Sequence, residues 1–407
     1  MQLRGLSRQG IAACALGLLA LLALAEAAAH DGPHGDAASV IDSRHRQTDP
    51  RLKDARAELL ARAEAELARG DAVAAGETFE RAAMMLHAAD TEMGLVRSYM
   101  QAGQYGRALA FCAHTAGVHR ESPAAGALYA WLLRVGGQGA FAERTLQQSL
   151  QRAPGDAVLL ATQRAFASAL PVANPELLQS PHRMAPQAVM LGGQAELPPA
   201  ARVSGSGVLV GQGMLALVPL ASVQGAAQRV LWVRNGLGQT TRAQSQPDAR
   251  LEALGIALLR LDSPMDPGEG QQSTPREPFA GSPGFAAQYA PQQSAQPAWP
   301  WLSLGFFGAL QAQVGARRLG IELASGPYGG PVFDAQGRLA GMALPGPAGE
   351  ALMIPAASWQ AAQAGLAAPA TAPARAEAPA RPAPTEQVYE AALRIALQVI
   401  VPPPRAD

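Results

Sequence analysis

The run Gly326-Pro327-Tyr328-Gly329-Gly330-Pro331-Val332-Phe333-Asp334 is the stretch whose residue types come nearest to chemistry. Its glycines permit a tight turn that points backbone N–H groups at one spot, an arrangement suited to an oxygen gaining negative charge. A loop of this kind acts only beside a nucleophile and a base that activates it. Tyr328, in its middle, is a phenol with an ordinary pKa of about 10 and needs activation itself. Ser325 is near in sequence. The seven histidines, however, are His30, His34, His45, His87, His114, His119 and His182, none beyond residue 182. Lys53 is the sole lysine, so the residues around the loop supply neither a Ser–His nor a Ser–Lys pair. Arg317 and Arg318 stay protonated and accept no proton.

The elements that must position this loop are patterned for β-structure. From Ser204-Gly205-Ser206-Gly207-Val208-Leu209-Val210 onward, apolar and β-branched segments of strand length alternate with turn residues. Strands are expected at 207–211, 215–219, 229–234, 256–261, 302–307, 312–315, 320–323, 331–333, 339–344 and 351–354. A stretch rich in Pro, Gln, Ser and Gly at 263–300 joins two clusters of them. Composition alone fits any all-β sandwich or barrel.

Four matches in order narrow this. The Gly205-Ser206-Gly207-Val208-Leu209-Val210 strand, the segment 216–226 (ALVPLASVQGA), the segment 254–261 (LGIALLRL) and the loop 326–334 together resemble the bacterial trypsin-like serine proteases. Gly337, Gly341 and Met353-Ile354-Pro355 follow as in that family, and the likeness covers roughly 203–360. The resemblance implies an all-β double barrel over 202–365. It puts Ala221 where the general-base His belongs, Gly255 at the orienting Asp and Tyr328 at the nucleophile; Asp248 falls too early to be that Asp. The catalytic set is therefore missing, and an inactive relative is expected: no enzyme, and no cofactor. Gly326, Tyr328, Gly329 and Gly330 remain as a candidate peptide-binding cleft, holding a carbonyl, a carboxylate or an extended strand. Equally, the loop serves only to fold the second barrel. A hydrolase with displaced catalytic residues is the competing class.

Ahead of this domain, residues 50–170 are helical and repetitive. Three segments align around a glycine. They are Ala63, Glu66, Gly70, Ala75, Phe79, Ala82; Val96, Tyr99, Gly103, Ala108, Cys112, Thr115; and Ala130, Leu133, Gly137, Ala142, Leu146, Ser149, the last followed by Pro154. The glycines lie 33 and then 34 residues apart. That period, with small residues letting two helices approach, resembles tetratricopeptide repeats. The resemblance implies a short all-α solenoid whose groove receives a protein or peptide partner.

Composition bounds the rest. The 407 residues allow two or three domains, and zero formal net charge argues against nucleic acid as a partner. Residues 1–29 have the basic start, apolar run and small-residue end of a signal peptide, so a periplasmic location is expected, with no transmembrane span beyond the signal. Its removal leaves Cys112 as the only cysteine and no internal disulfide. Residues 30–49 form a flexible leader, and 171–201, with six prolines, a linker. His30 and His34 would offer a copper chelate at a new N-terminus, which gives a third class, periplasmic metal binding; the tail reading is preferred and no metal site is assigned. His114 and His119 are expected on a solvated face, and Trp299 and Trp301 in packing. Residues 366–384 form an Ala/Pro-rich tether, ahead of an apolar-periodic segment at 385–407. In the trypsin-like family a similar helix and first strand precede the Gly-Ser-Gly strand. Here Tyr389-Glu390-Ala391-Ala392-Leu393 and Gln398-Val399-Ile400-Val401 come after the domain, and are expected to return to it as a helix and edge strand.

Overall fold

The computed structural model describes residues 50–168, 183–194, 196–224, 230–268, 273–274, 276–311, 315–323, 326, 329–362 and 381–403. The expected signal peptide and leader, Ser325, Tyr328, the first part of the expected linker (171–182) and most of the expected tether (366–380) lie outside the described residues. The chain divides into two units, Met1–Ala57 and Glu58–Asp407; of the first, the described part is the opening turns of helix α1 (Pro50–Ala68).

The helical region continues with α2 (Ala72–Met85), α3 (Ala89–Gln101), α4 (Tyr105–Val118), α5 (Pro123–Val135), α6 (Gly139–Arg152) and α7 (Ala157–Ala167). Asp71 caps α2 and Asp156 caps α7, each accepting from backbone N–H groups of the first turn; Ser122 does the same for α5, with Pro123 behind it. Gly70, Gly103 and Gly137 end the first helix of each hairpin with φ of +83°, +75° and +83°. In every case the next N–H reaches back five residues: Asp71 to Glu66, Gln104 to Tyr99 and Gln138 to Leu133, at 2.8–3.0 Å. This termination needs a left-handed residue, which is why glycine recurs at the repeat period. The hairpins interlock through small residues. Phe79 lies on the α3 backbone at Gly94, where a Cβ would come within 2.3 Å of the ring, and Leu146 is likewise buried.

The β-region holds thirteen described strands. β1 (Val189–Met190) falls within the stretch expected to be linker. β2 (Arg202–Val210), β3 (Leu215–Pro219), β4 (Leu231–Asn235), β5 (Gln239–Gln246) and β6 (Ile256–Leu261) follow, with the short helices α8 (Leu220–Val223) and α9 (Ala249–Glu252) between them. A second set comprises β7 (Pro283–Gln288), β8 (Trp301–Gln311), β9 (Ala316–Ile321), β10 (Pro331–Asp334), β11 (Leu339–Pro345) and β12 (Ala351–Pro355), followed by α10 (Ala356–Ala362). Helix α11 (Thr385–Ile395) then runs directly into β13 (Ala396–Val401).

The ladders close twice. One runs β5-β4-β13-β2-β3-β6 and returns through β5–β6; the other runs β10-β11-β12-β9-β8-β7 and closes on itself. The fold class expected from the sequence, a helical array joined to a double β-barrel, is the one observed. β13 is not an edge strand. It pairs antiparallel with β2 on one side and β4 on the other, and all six of its residues are buried. Besides β1, two strands went unexpected, β5 and β7, the latter inside the stretch taken for a connection.

One apolar cluster joins the helices to both barrels. It includes Met93, Tyr105 and Trp131 of the array, Leu217 and Val233 of the first barrel, Phe333 of the second, and Tyr389 and Leu393 of α11. Helix α11 is the junction. Tyr389 lies against Tyr105 with ring centroids 4.3 Å apart, and its hydroxyl donates to Pro300 O at 2.7 Å. Glu390 accepts from Gly106 N–H at 3.0 Å, while Leu393 O accepts from Gly236 N–H at 2.8 Å. No helix among the described residues is long and apolar enough to cross a membrane.

Candidate functional site

The three positions matching a catalytic triad are contributed by a strand end, a turn and the glycine loop. β3 ends at Pro219, and α8 carries Ala221, whose methyl is exposed. Gly255 closes the turn after α9. Its carbonyl accepts from Leu220 N–H at 2.9 Å, so the residues matching base and orienting acid lie side by side. On the other flank, a Cβ on Gly329 would fall 2.4 Å from Pro219 Cδ and 2.1 Å from Ser206 O. The fold therefore brings these three elements together. Tyr328, at the third position, lies outside the described residues.

Among the described residues, the two matched positions bring no acid or base side chain. Ala221 offers a methyl and Gly255 nothing. Gly255 also has φ of +74°, a left-handed backbone that an aspartate would adopt only under strain of about 1–3 kcal/mol. Nearby carboxylates are engaged in structure. Asp248 caps α9 by accepting from Arg250 and Leu251 N–H at 3.0 and 3.1 Å. Asp334 accepts from Gln336 and Arg338 N–H, and its second oxygen holds the Arg338 guanidinium at 2.9 Å.

The glycine loop is pinned rather than open at its second half. Gly329 N–H donates to Ala343 O at 2.6 Å, and Gly330 O accepts from Ala343 N–H at 3.0 Å. A Cβ on Gly330 would sit 1.8 Å from Ala287 O, so only glycine passes so close to β7. Gly326 has φ of +129° and lies against Pro291. Ser206 clasps the two barrels: its hydroxyl donates to Tyr289 O at 2.8 Å and accepts from Tyr289 N–H at 2.5 Å. Because both ladders close, neither barrel leaves a free interior edge for an added peptide strand.

The groove expected along the repeats is also filled. Residues 91–98 of α3 are buried, and its Gln101 side chain bonds Gln187 N–H at 3.1 Å and Leu237 O at 2.6 Å. Val189 presses on Gly70. Helix α5 is almost wholly buried; Trp131 meets Trp301 edge-on at 6.2 Å, and Arg134 lies over the Trp301 ring. Of the helices that would line an open groove, α3 and α5 are covered by the chain's own β-region and by residues 183–189. Of the other repeat positions, Tyr99 is half-buried beside Phe111, and Pro154 is exposed in the turn after α6.

Of the remaining expectations, only one changes. Cys112 is a free, fully buried thiol, pushed up by burial and by the nearby Glu92 charge. His114 is exposed, but His119 is buried, not on a solvated face. With His87 and Glu92 it forms the one group of metal-ligating types that converges among the described residues. No sequence motif links those three positions.

No protein-family model matches the chain, and no curated protein matches it. Among solved structures, it is similar to the MamO protease domain from Magnetospirillum magneticum in its apo form, at 22% identity over 40% of this chain and 95% of that one, with a TM-score of 0.30. It is also similar to the serine endoprotease from Yersinia pestis, at 16% identity over 41% of this chain and 66% of that one, again with a TM-score of 0.30. At that level neither likeness adds to what the strand ladders establish.

Proposed function

We propose that the chain is an exported, periplasmic, non-catalytic scaffold or adaptor, in which a tetratricopeptide-type array is fused to a trypsin-like double barrel that has lost its chemistry. One observation carries this reading. Leu220, Gly255, Pro219 and Gly329 still meet as the walls of a catalytic cleft should, yet Ala221 and Gly255 bring no proton acceptor to it. Without a base, a hydroxyl is not a nucleophile at neutral pH.

The partner is a protein or peptide of the cell envelope. With α3 and α5 covered, it is received on the outer helices, where Met84 is 80% and Phe141 59% exposed. Fluorophosphonate labelling and casein hydrolysis by the purified chain test the reading. No label and no cleavage are expected; activity abolished by Ser325→Ala would overturn it. A photo-crosslinking residue at Met84 or Phe141 is expected to capture the partner, and one at Ala221 is not.

A further inference from the structure

Three metal-ligating side chains meet at one end of the second hairpin. His87 lies in the turn between α2 and α3, Glu92 in the first turn of α3, and His119 at the C-cap of α4. Glu92 Oε1 is 2.5 Å from His87 Nε2, and Glu92 Oε2 is 3.5 Å from His119 Nε2. One ligand atom from each residue lies within 4.8 Å of the others. Both imidazoles thus turn Nε2 to the same carboxylate, one to each oxygen. The second nitrogen of His119, Nδ1, faces Glu121 Oε1 at 3.4 Å. A carboxylate behind a histidine in this way fixes which nitrogen is left to bind a cation.

Burial makes the arrangement costly unless something joins it. Glu92 is 4% and His119 8% exposed, and Glu92 Oε2 and His119 Nε2 are enclosed without a hydrogen-bond partner. A buried carboxylate requires a compensating charge. A divalent ion supplies that charge and takes up both orphaned atoms.

We infer that His87, Glu92 and His119 form a binding site for one divalent transition-metal ion of the zinc class. Two imidazoles and a carboxylate suit zinc, cobalt, nickel or copper, not calcium or magnesium, which prefer oxygen donors. Donors about 2.1 Å from a tetrahedral ion lie about 3.4 Å apart, close to the 3.5 Å between His119 and Glu92. His87 has only to move outward by about 1 Å, and its side chain is 59% exposed and free to do so. Three protein donors leave the fourth position to water on the exposed side. The ion ties the turn after the first hairpin to the far end of the second. At the opposite end of α3, Gly103 lies against Arg394 and Leu237. The site is therefore roughly 20 Å from that junction with the β-region, the length of a helix of this size.

Calorimetric titration of the full chain with zinc chloride, with cobalt(II) absorption spectra as an independent readout, tests the site. The background carries His30→Ala and His34→Ala to remove the leader histidines. One equivalent of zinc is expected to bind there, and cobalt(II) to give the intense visible bands of a tetrahedral ion. His87→Ala is expected to weaken zinc binding by tenfold or more, and Glu121→Gln by about tenfold without abolishing it. Unaltered urea unfolding of zinc-free His87→Ala, an exposed position, checks that the fold is kept. Three results would each overturn the site: no stoichiometric zinc uptake at micromolar concentration, equal affinity in His87→Ala, or binding that disappears with the leader histidines.

Discussion

Removing residues 385–407 takes away α11 and β13, and the loss can be gauged side chain by side chain. Leu393, Ile395, Leu397, Val399 and Ile400 are all fully buried, and each contributes about 1.5–3 kcal/mol on burial. Together they amount to on the order of 7–15 kcal/mol, as much as the whole net stability of an ordinary domain. The deletion also leaves β2 and β4 without the strand between them and strips Tyr105 of the ring it packs on. The truncated chain is expected to show no cooperative thermal transition by near-ultraviolet circular dichroism. A synthetic peptide spanning 381–403, added in trans, is expected to restore one. Leu397→Ala, a milder probe, should lower stability in urea by about 2–5 kcal/mol. A truncated chain that melts at the same temperature as the full one would refute the assignment of β13 to the barrel.

Other outcomes follow from single contacts. Ser206→Ala leaves the buried N–H and C=O of Tyr289 without their partner and should cost about 1–3 kcal/mol, read from the shift of the urea midpoint at constant slope. Gly137→Ala forces a Cβ to within 2.5 Å of Leu304 at a left-handed φ of +83°; a loss of at least 1 kcal/mol is expected in the same assay. Burial raises the phenols of Tyr105, Tyr289 and Tyr389. The folded state therefore keeps protons that the unfolded state releases above its ordinary pKa of about 10, and stability is complete below that pH and falls as pH rises past it. Each tyrosine contributes about 1.4 kcal/mol per pH unit there. Arg234, lowered to about 10 by burial, acts in the opposite sense over that range, but one arginine does not offset three tyrosines. Urea midpoints measured from pH 8 to 11.5 should decline steeply past 10, and Tyr389→Phe should flatten the slope.

Some elements were legible in the sequence because one residue type satisfies a single physical demand. Glycine at Gly70, Gly103 and Gly137 marks the left-handed termination of each first helix, so the hairpins and their period could be read directly. Runs such as Ile256–Leu261 announce buried strands by their apolarity. β5 was invisible because its buried residues include Thr240 and Thr241 on its two faces, polar groups held by Arg234 Nε at 2.9 Å and Gln194 Nε2 at 3.2 Å. β7 hid among Pro, Gly and Gln. That no histidine follows residue 182 could be read from a count, but the covering of α3 could not, since it depends on where residues 183–189 run. The His87, Glu92 and His119 group was equally illegible: hairpin stacking, not local spacing, brings a turn, a helix start and a helix end to one point.

Ser204 and Val399 are hydrogen-bonded partners 195 residues apart. A ribosome must therefore make the second barrel, the tether and α11 before the first barrel has its last stave. Until then two strands stand with bare edges, open to pairing with any neighbouring chain. Closure over such a distance is slow by the measure of loop entropy, which favours a first barrel that stays open until synthesis is complete.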